Sequence, residues 1–297
     1  MTATSTGTDE AHDVLAIGCG PFNLGLVALG STIPDLDLVC LDRSPSFAWH
    51  PGLMFDDARL QLSFLADLVT LVEPTHPLSF LAYLKGQDRL YPFYIRETFH
   101  PTRREYEDYL RWAISRLPQI RFGHDVESVR WEPAARVFEA EVVATSPTGE
   151  TRGRSIVRAR AVVLAIGTEP HVPSALDGLS AGQVMHAAVY LERRPALLQA
   201  EHVTVVGGGQ SGAEIVLDLL RANLAGGPAV SWLTRTRAFA PLDYTKLVLE
   251  MTTPDYIRYF HALPESTRDR LVAEQWQHYK GISSDTLADL HEALYQR

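Results

Sequence analysis

Two glycine runs hold the residues best suited to chemistry in this chain of 297 residues. Gly18-Cys19-Gly20-Pro21-Phe22-Asn23 follows the apolar run Val14-Leu15-Ala16-Ile17, and Gly207-Gly208-Gly209-Gln210-Ser211-Gly212 follows Val203-Thr204-Val205-Val206. Glycines between a strand and a helix permit a tight turn and a close backbone approach to a pyrophosphate, which then faces the N–H groups at the helix start. One such run is weak evidence; two, each between a strand and a helix, predict two dinucleotides, a flavin and a nicotinamide coenzyme.

Around the first run, Gly18, Gly20 and Asn23 are candidates for the FAD pyrophosphate. Asp42 ends the next apolar run, 24 residues after Gly18, close to the ~20 expected of the carboxylate that grips a ribose hydroxyl. Around the second, Gly207, Gly209 and Gly212 would cradle the other coenzyme. The strand that follows ends in Trp232-Leu233-Thr234-Arg235-Thr236-Arg237. Arginine stands there in place of an acid, so Arg235 or Arg237 would pair with a 2′-phosphate, which favours NADPH over NADH. A solvated surface role for these arginines stays open. Gln210 and Ser211 either reach the nicotinamide half or cap a helix.

These candidates need a scaffold of alternating strands and helices. A strand over 13–17, a helix over 22–32 and a strand over Leu36–Leu41 make one βαβ unit, and a strand from Val203, a helix over 212–224 and a strand over 229–234 make another. Between them lie an irregular stretch over 44–104 rich in Pro, His and aromatic residues, and an amphipathic helix over Arg104–Leu117. Two strands follow, 126–131 and 137–145, with a Pro147-Thr148-Gly149-Glu150 turn, and then a buried strand over Ala161–Gly167. The expected fold class is α/β, with two Rossmann-like dinucleotide-binding domains. Its expected divisions are a tail over 1–11, an FAD-binding domain over 12–170, an NADPH-binding domain over 171–241 and a helical substrate-side segment over 242–297.

Bulk properties narrow the function classes. Hydrophobic residues make up 46% and charged residues 21%, as in a globular protein, and the net charge of −9 disfavours nucleic-acid phosphates. Cys19 and Cys40 are the only cysteines, which predicts no disulfide framework, no metal site and a reducing cytoplasmic setting. They form neither C-x-x-C nor C-x4-C, against a disulfide reductase. No apolar run reaches the ~18–20 residues of a membrane span.

The chain resembles the flavin-dependent N-hydroxylating monooxygenases of siderophore biosynthesis, the lysine N6- and ornithine N5-monooxygenase family. The resemblance rests on Gly18-x-Gly-Pro-Phe-Asn23-Leu, Phe47-x-Trp49-His50-Pro-Gly-x-Met54, Leu60-Gln61-x-Ser63-Phe64-Leu65-x-Asp67-Leu68, Pro74-Thr75-x-Pro77-x-Ser79-Phe80, Arg103-x-Glu105-x-x-Asp108-Tyr109-Leu110-x-Trp112 and Val206-Gly-Gly-Gly-Gln-Ser-Gly-Ala213. It implies that NADPH reduces FAD, that the reduced flavin and O2 give a C4a-hydroperoxyflavin, and that a terminal amine becomes a hydroxylamine. The flavin carries the hard chemistry and the protein positions and desolvates. Pro21 belongs to the flavin-side block; Trp49, His50, Met54 and Gln61 match positions around the flavin ring, with Gln61 and His50 as candidate catalytic residues. The resemblance also implies a homo-oligomer, a tetramer in much of the family.

One departure bears on substrate. Five residues after the glutamine, amino-acid hydroxylases have a lysine on the substrate carboxylate; here that position is Ala66. A second contact to the amino-acid head aligns with Leu249-Glu250. A buried carboxylate deprived of its cation would lose several kcal/mol, so the pattern suits a small diamine, cadaverine or putrescine. Asp243, Tyr244 and Glu250 are candidates for the second ammonium. L-lysine, or L-ornithine, stays open as the alternative substrate, with Lys246 supplying the missing charge. Family members are longer and return to the FAD domain after the NADPH domain; this chain stops at Leu294-Tyr295-Gln296-Arg297. It therefore reads as a fragment or a truncated member with an incomplete FAD domain, for which an inert nucleotide-binding role is the third alternative.

Overall fold

The structure is a computed structural model that describes residues 11–180 and 182–296. The tail expected over 1–11 lies outside them except for Ala11, as does Arg297. The chain divides into two compact units, one of Met1–His50 with Met54–Pro170 and one of Pro51–Leu53 with His171–Arg297.

In the first unit, β1 (His12–Ile17), α1 (Pro21–Gly30) and β2 (Leu38–Asp42) form the expected βαβ element, with β1 and β2 parallel. After β2 come α2 (Phe80–Gly86), α3 (Leu90–Ile95), α4 (Arg103–Ile114), β3 (Ile120–Phe122), β4 (His124–Glu132), β5 (Val137–Thr145) and β6 (Thr151–Leu164). The sheet runs β3-β2-β1-β6-β5-β4. β6 pairs antiparallel with β5 through Ala159 and parallel with β1 from Ala159 onward, so one strand joins the antiparallel ribbon to the parallel sheet.

This corrects the expected strand over Ala161–Gly167, which is only the end of a 14-residue strand that stops at Leu164. The Pro147–Glu150 turn leads from β5 into that strand. Its first half, Thr151-Arg-Gly-Arg-Ser-Ile156, is polar and exposed, so no apolar alternation announces it. The irregular stretch over 44–104 contains α2 and α3, helices of 7 and 6 residues, too short for a 3.6-residue periodicity to register.

Side chains of β1 and β2 alternate between two cores. Ala16, Leu38 and Cys40 face α1, α2 and α4 with Leu24, Phe80, Tyr83, Tyr109 and Leu110, whereas Leu15, Ile17, Val39 and Leu41 pack with Ala140, Val142 and Ala159 of β5 and β6. Coverage of both faces is what a parallel sheet requires. Thr102 caps α4 by accepting from the Glu105 amide at 3.1 Å, a contact worth ~1 kcal/mol. Buried Glu105 turns its carboxylate to Arg89 at 2.6 Å and Arg96 at 3.7 Å.

The second unit contains α5 (Tyr190–Leu197), β7 (His202–Val206), α6 (Gln210–Leu224), β8 (Ala229–Leu233), α7 (Lys246–Leu249), α8 (Pro254–Ala262), α9 (Glu265–Glu274) and α10 (Ser284–Tyr295). β7 and β8 pair in parallel, and α6 packs against β8 and α10. Among the described residues, no helix is long and apolar enough to cross a membrane.

Candidate functional site

The two units present the same device at the ends of β1 and β7. In the first, Gly18 has φ +89°, and a Cβ there would collide with the Ala165 carbonyl, so both conformation and space demand glycine. Gly20 opens α1 with an extended backbone and no side-chain cap, and an added Cβ would meet nothing within 4 Å. Pro21 occupies the first helical turn, where its missing N–H is not needed, and no acidic residue stands there. The positive end of the α1 dipole therefore faces open space, which fits a pyrophosphate.

Asn23 and Asp42 brace this loop. The Asn23 amide donates to Ile17 O at 3.2 Å and Gly18 O at 2.8 Å, and the residue is buried. Its side-chain donors are thus engaged by the loop backbone, and the residue acts on the cradle by bracing it. Asp42 accepts from the Cys19 amide at 2.7 Å and the Ser44 amide at 2.8 Å. A carboxylate keeps further lone pairs for a hydroxyl, so the ribose assignment fits this geometry.

Trp49 is anchored by its amide on Glu107 Oε1 at 3.0 Å, and its ring packs on Tyr106, 5.4 Å between centroids, and on His50, 5.2 Å. His50 holds a left-handed backbone, φ +48°. Although the residue is exposed, partial burial of its ring and then the Arg103 charge hold its pKa below the usual histidine value, so the neutral imidazole prevails at pH 7. Met54 is half-buried. Gln61 is half-buried as well, and its Nε2 is buried with no acceptor among the described residues. A buried donor left unpaired costs ~1–3 kcal/mol, which a ligand acceptor would relieve.

Ala66 is half-buried, its amide donating to Ser63 O at 2.9 Å. Its neighbour Asp67, which the sequence did not single out as a site residue, organises this segment. Its carboxylate accepts from the Val69, Thr70 and Phe80 amides at 2.9, 2.6 and 2.6 Å. The spacing Asp67-x-x-Thr70 was the available signal.

In the second unit, Gly207 has φ +127° and Gly209 opens α6 with no side-chain cap; a Cβ on either would meet nothing within 4 Å. Gly212 lies so close to the Gly207 carbonyl that a side chain would collide with it. This second cradle also lacks an acidic residue in its first turn. Arg235 and Arg237 are exposed just beyond β8 and form no ion pair among the described residues.

Gln210 has its partners within this unit. Its Nε2 donates to Glu214 Oε1 at 2.8 Å and Thr286 Oγ1 at 3.0 Å, and its Oε1 accepts from the Ser283 amide at 2.8 Å. The side chain fastens the start of α6 to the start of α10. Ser211 is exposed beside it.

Asp243 joins the same neighbourhood, its amide donating to Gln277 O at 3.1 Å while Leu242 pairs with Ile282. Hydrogen bonds from Thr245, backbone first, lower the Asp243 pKa, so it is a carboxylate at neutral pH. The Tyr244 hydroxyl is buried without a partner among the described residues, and burial pushes its pKa up to about 12. Leu249 and Glu250 are exposed at the end of α7. Ala66 and Gln61 thus belong to the first unit, and Asp243, Tyr244, Leu249 and Glu250 to the second. Among the described residues, no group of three or more His, Cys, Asp and Glu is placed to hold a metal ion.

A family model for L-lysine 6-monooxygenase/L-ornithine 5-monooxygenase matches residues 10–297. The chain is 43% identical over 289 residues to the rhizobactin siderophore biosynthesis protein RhbE of Rhizobium meliloti, covering 96% of this chain and 63% of that protein. It is 41% identical over 299 residues to a putrescine N-hydroxylase of Shewanella oneidensis, covering 100% and 59%. A similar solved structure is DfoA bound to FAD, the desferrioxamine-pathway cadaverine monooxygenase of Erwinia amylovora, with TM-score 0.91 and 39% identity over 97% of this chain and 66% of that one. The chain spans about three-fifths of the length of the curated relatives it matches.

Proposed function

The chain belongs to the L-lysine 6-monooxygenase/L-ornithine 5-monooxygenase family, and from that premise we propose that it is an FAD- and NADPH-dependent monooxygenase hydroxylating the terminal amine of a small diamine, cadaverine or putrescine, for hydroxamate siderophore biosynthesis. The observation that carries this reading is a pair of uncapped helix starts, at Gly20 and Gly209, whose glycines leave open the space a side chain would fill. Likeness to a putrescine N-hydroxylase and to a cadaverine monooxygenase supports the diamine.

Bound at the first cradle, the flavin would supply the oxygen-activating centre. This chain's residues do the rest. Gly18 and Gly20 admit the pyrophosphate, and Asp42 takes a ribose hydroxyl while fixing the Cys19 amide. Trp49 and Met54 provide apolar surface, and the Gln61 amide offers its unpaired N–H to an acceptor on flavin or substrate. His50, neutral at pH 7, is able to accept a proton. Gly207, Gly209 and Gly212 take the second pyrophosphate, and Arg235 or Arg237 the 2′-phosphate. Ala66 and Leu249 offer no cation to a carboxylate, whereas Asp243 and Glu250, with the Tyr244 ring, suit a distant ammonium. The attacking nitrogen must be neutral, which a desolvated site favours. A cytoplasmic homo-oligomer, a tetramer, completes the proposal.

Exposed Lys246, next to these residues in the chain, favours the second reading, an L-lysine or L-ornithine hydroxylase. NADPH-dependent hydroxylamine formation with cadaverine, putrescine, L-lysine and L-ornithine separates the two. The diamines should give the higher kcat/KM; preference for either amino acid sinks the diamine assignment.

A further inference from the structure

The turn that carries Arg235 and Arg237 is held at both ends by one aromatic pair. Trp232 of β8 and Phe239 stack face to face, 3.7 Å between ring centroids and 22° between planes. The edge of the same indole donates from Nε1 to the Gly207 carbonyl at 2.7 Å. One side chain therefore touches the glycine loop with its edge and the far end of the arginine turn with its face.

Inside the turn, hydroxyls replace a regular ladder. The Thr236 amide donates to Thr234 Oγ1 at 3.2 Å, the two threonine hydroxyls lie 2.8 Å apart, and Thr236 Oγ1 donates to Ala238 O at 2.8 Å. Because the Thr236 proton goes to Ala238, Thr234 supplies the proton between the two hydroxyls. Gly208 lies so close to the Thr234 hydroxyl that any side chain there would collide with it. The Gly207 amide also donates to Leu233 O at 2.8 Å. The arginine turn and the glycine loop are in this way built as one piece.

We propose that Trp232 and Phe239 are positioning residues for dinucleotide selection, their stack holding the Arg235–Arg237 turn in register with the Gly207–Gly212 loop so that a 2′-phosphate meets a preformed cation site. The inference rests on the reading that this unit binds NADPH through one of these arginines. Neither ring needs to touch the coenzyme. An exposed arginine on a free turn would have to be ordered on binding, and the stack removes that cost beforehand.

The test is titration of NADP+ and of NAD+ into the purified protein and into Phe239→Ala, Phe239→Tyr, Trp232→Phe and the Arg235→Ala/Arg237→Ala double variant. Phe239 is 38% exposed, so its truncation leaves the core intact. Phe239→Ala should weaken NADP+ binding about tenfold and NAD+ binding less than about twofold. Phe239→Tyr, which keeps the stack, should restore the original affinity. Trp232→Phe, which keeps a ring but loses the indole donor, should fall between them. In steady state, KM for NADPH should rise with kcat unchanged. Added to the double arginine variant, Phe239→Ala should cost nothing more, because the ring acts through the arginines. Equal losses for NADP+ and NAD+, failure of the tyrosine to rescue, or full additivity overturns the proposal. Unchanged NADP+ affinity in the double arginine variant overturns the underlying reading instead, and the stack then has no arginine to position.

Discussion

At the scale of single residues, two glycines of one loop do different work. Gly18 combines φ +89° with contact against the Ala165 carbonyl, so alanine there strains the backbone and displaces the neighbouring chain. Gly18→Ala should lower stability by roughly 1–3 kcal/mol in urea unfolding. Gly20 has φ −85° and open space beyond it, so Gly20→Ala should leave the fold intact. Its methyl group instead enters the cradle. Flavin absorbance near ~450 nm after purification should therefore be lost in Gly20→Ala, while the urea midpoints of the two proteins stripped of flavin coincide; retained colour would place the pyrophosphate elsewhere.

His50 gives a pH dependence of defined sign. Its folded pKa lies below that of the unfolded chain, chiefly because the ring is partly desolvated and then because of Arg103. The unfolded state binds the proton first as pH falls, so stability declines from pH ~6.5 down toward the folded pKa and is full above ~6.5. His50→Gln does not titrate. Urea midpoints measured between pH 7.5 and 5.5 should fall less steeply for the variant; parallel slopes would exclude His50 as a contributor.

At the scale of elements, the start of α10 depends on α6. Gln210 accepts from the Ser283 amide and donates to Thr286, and Ser283 itself caps α10 by accepting from the Thr286 amide. Gln210→Leu removes both links and leaves the Ser283 N–H without its acceptor, a local cost of about 1–3 kcal/mol. Hydrogen exchange should quicken over 283–287 while NADP+ affinity changes by less than about twofold. A large loss of NADP+ affinity would restore the coenzyme contact expected from the residue's place in the glycine loop.

At the scale of the whole molecule, each unit has its own glycine loop and its own packing, so each is expected to report its own ligand. A ligand that binds only the folded form stabilises by about 2.7 kcal/mol at a hundred times its Kd. NADP+ alone should slow hydrogen exchange over 206–212 and 234–239, and FAD alone over 17–24 and 40–44. Protection of the first loop by NADP+ and of the second by FAD would exchange the two assignments.

Local chemistry was legible in the chain. β-branched runs ending in glycines, and Asp42 closing the second run, are set by neighbours in sequence, and the βαβ element formed as those neighbours dictate. What a polar side chain touches was not legible. Gln210 reaches partners 73 and 76 residues away, and Asn23 turns back on the backbone of Ile17 and Gly18. Thr151–Ile156 forms a strand because β5 lies alongside it, with no apolar pattern of its own. Propensity and periodicity act over a few residues and travel with the sequence, whereas a hydrogen-bond partner is chosen only after elements distant in the chain have packed.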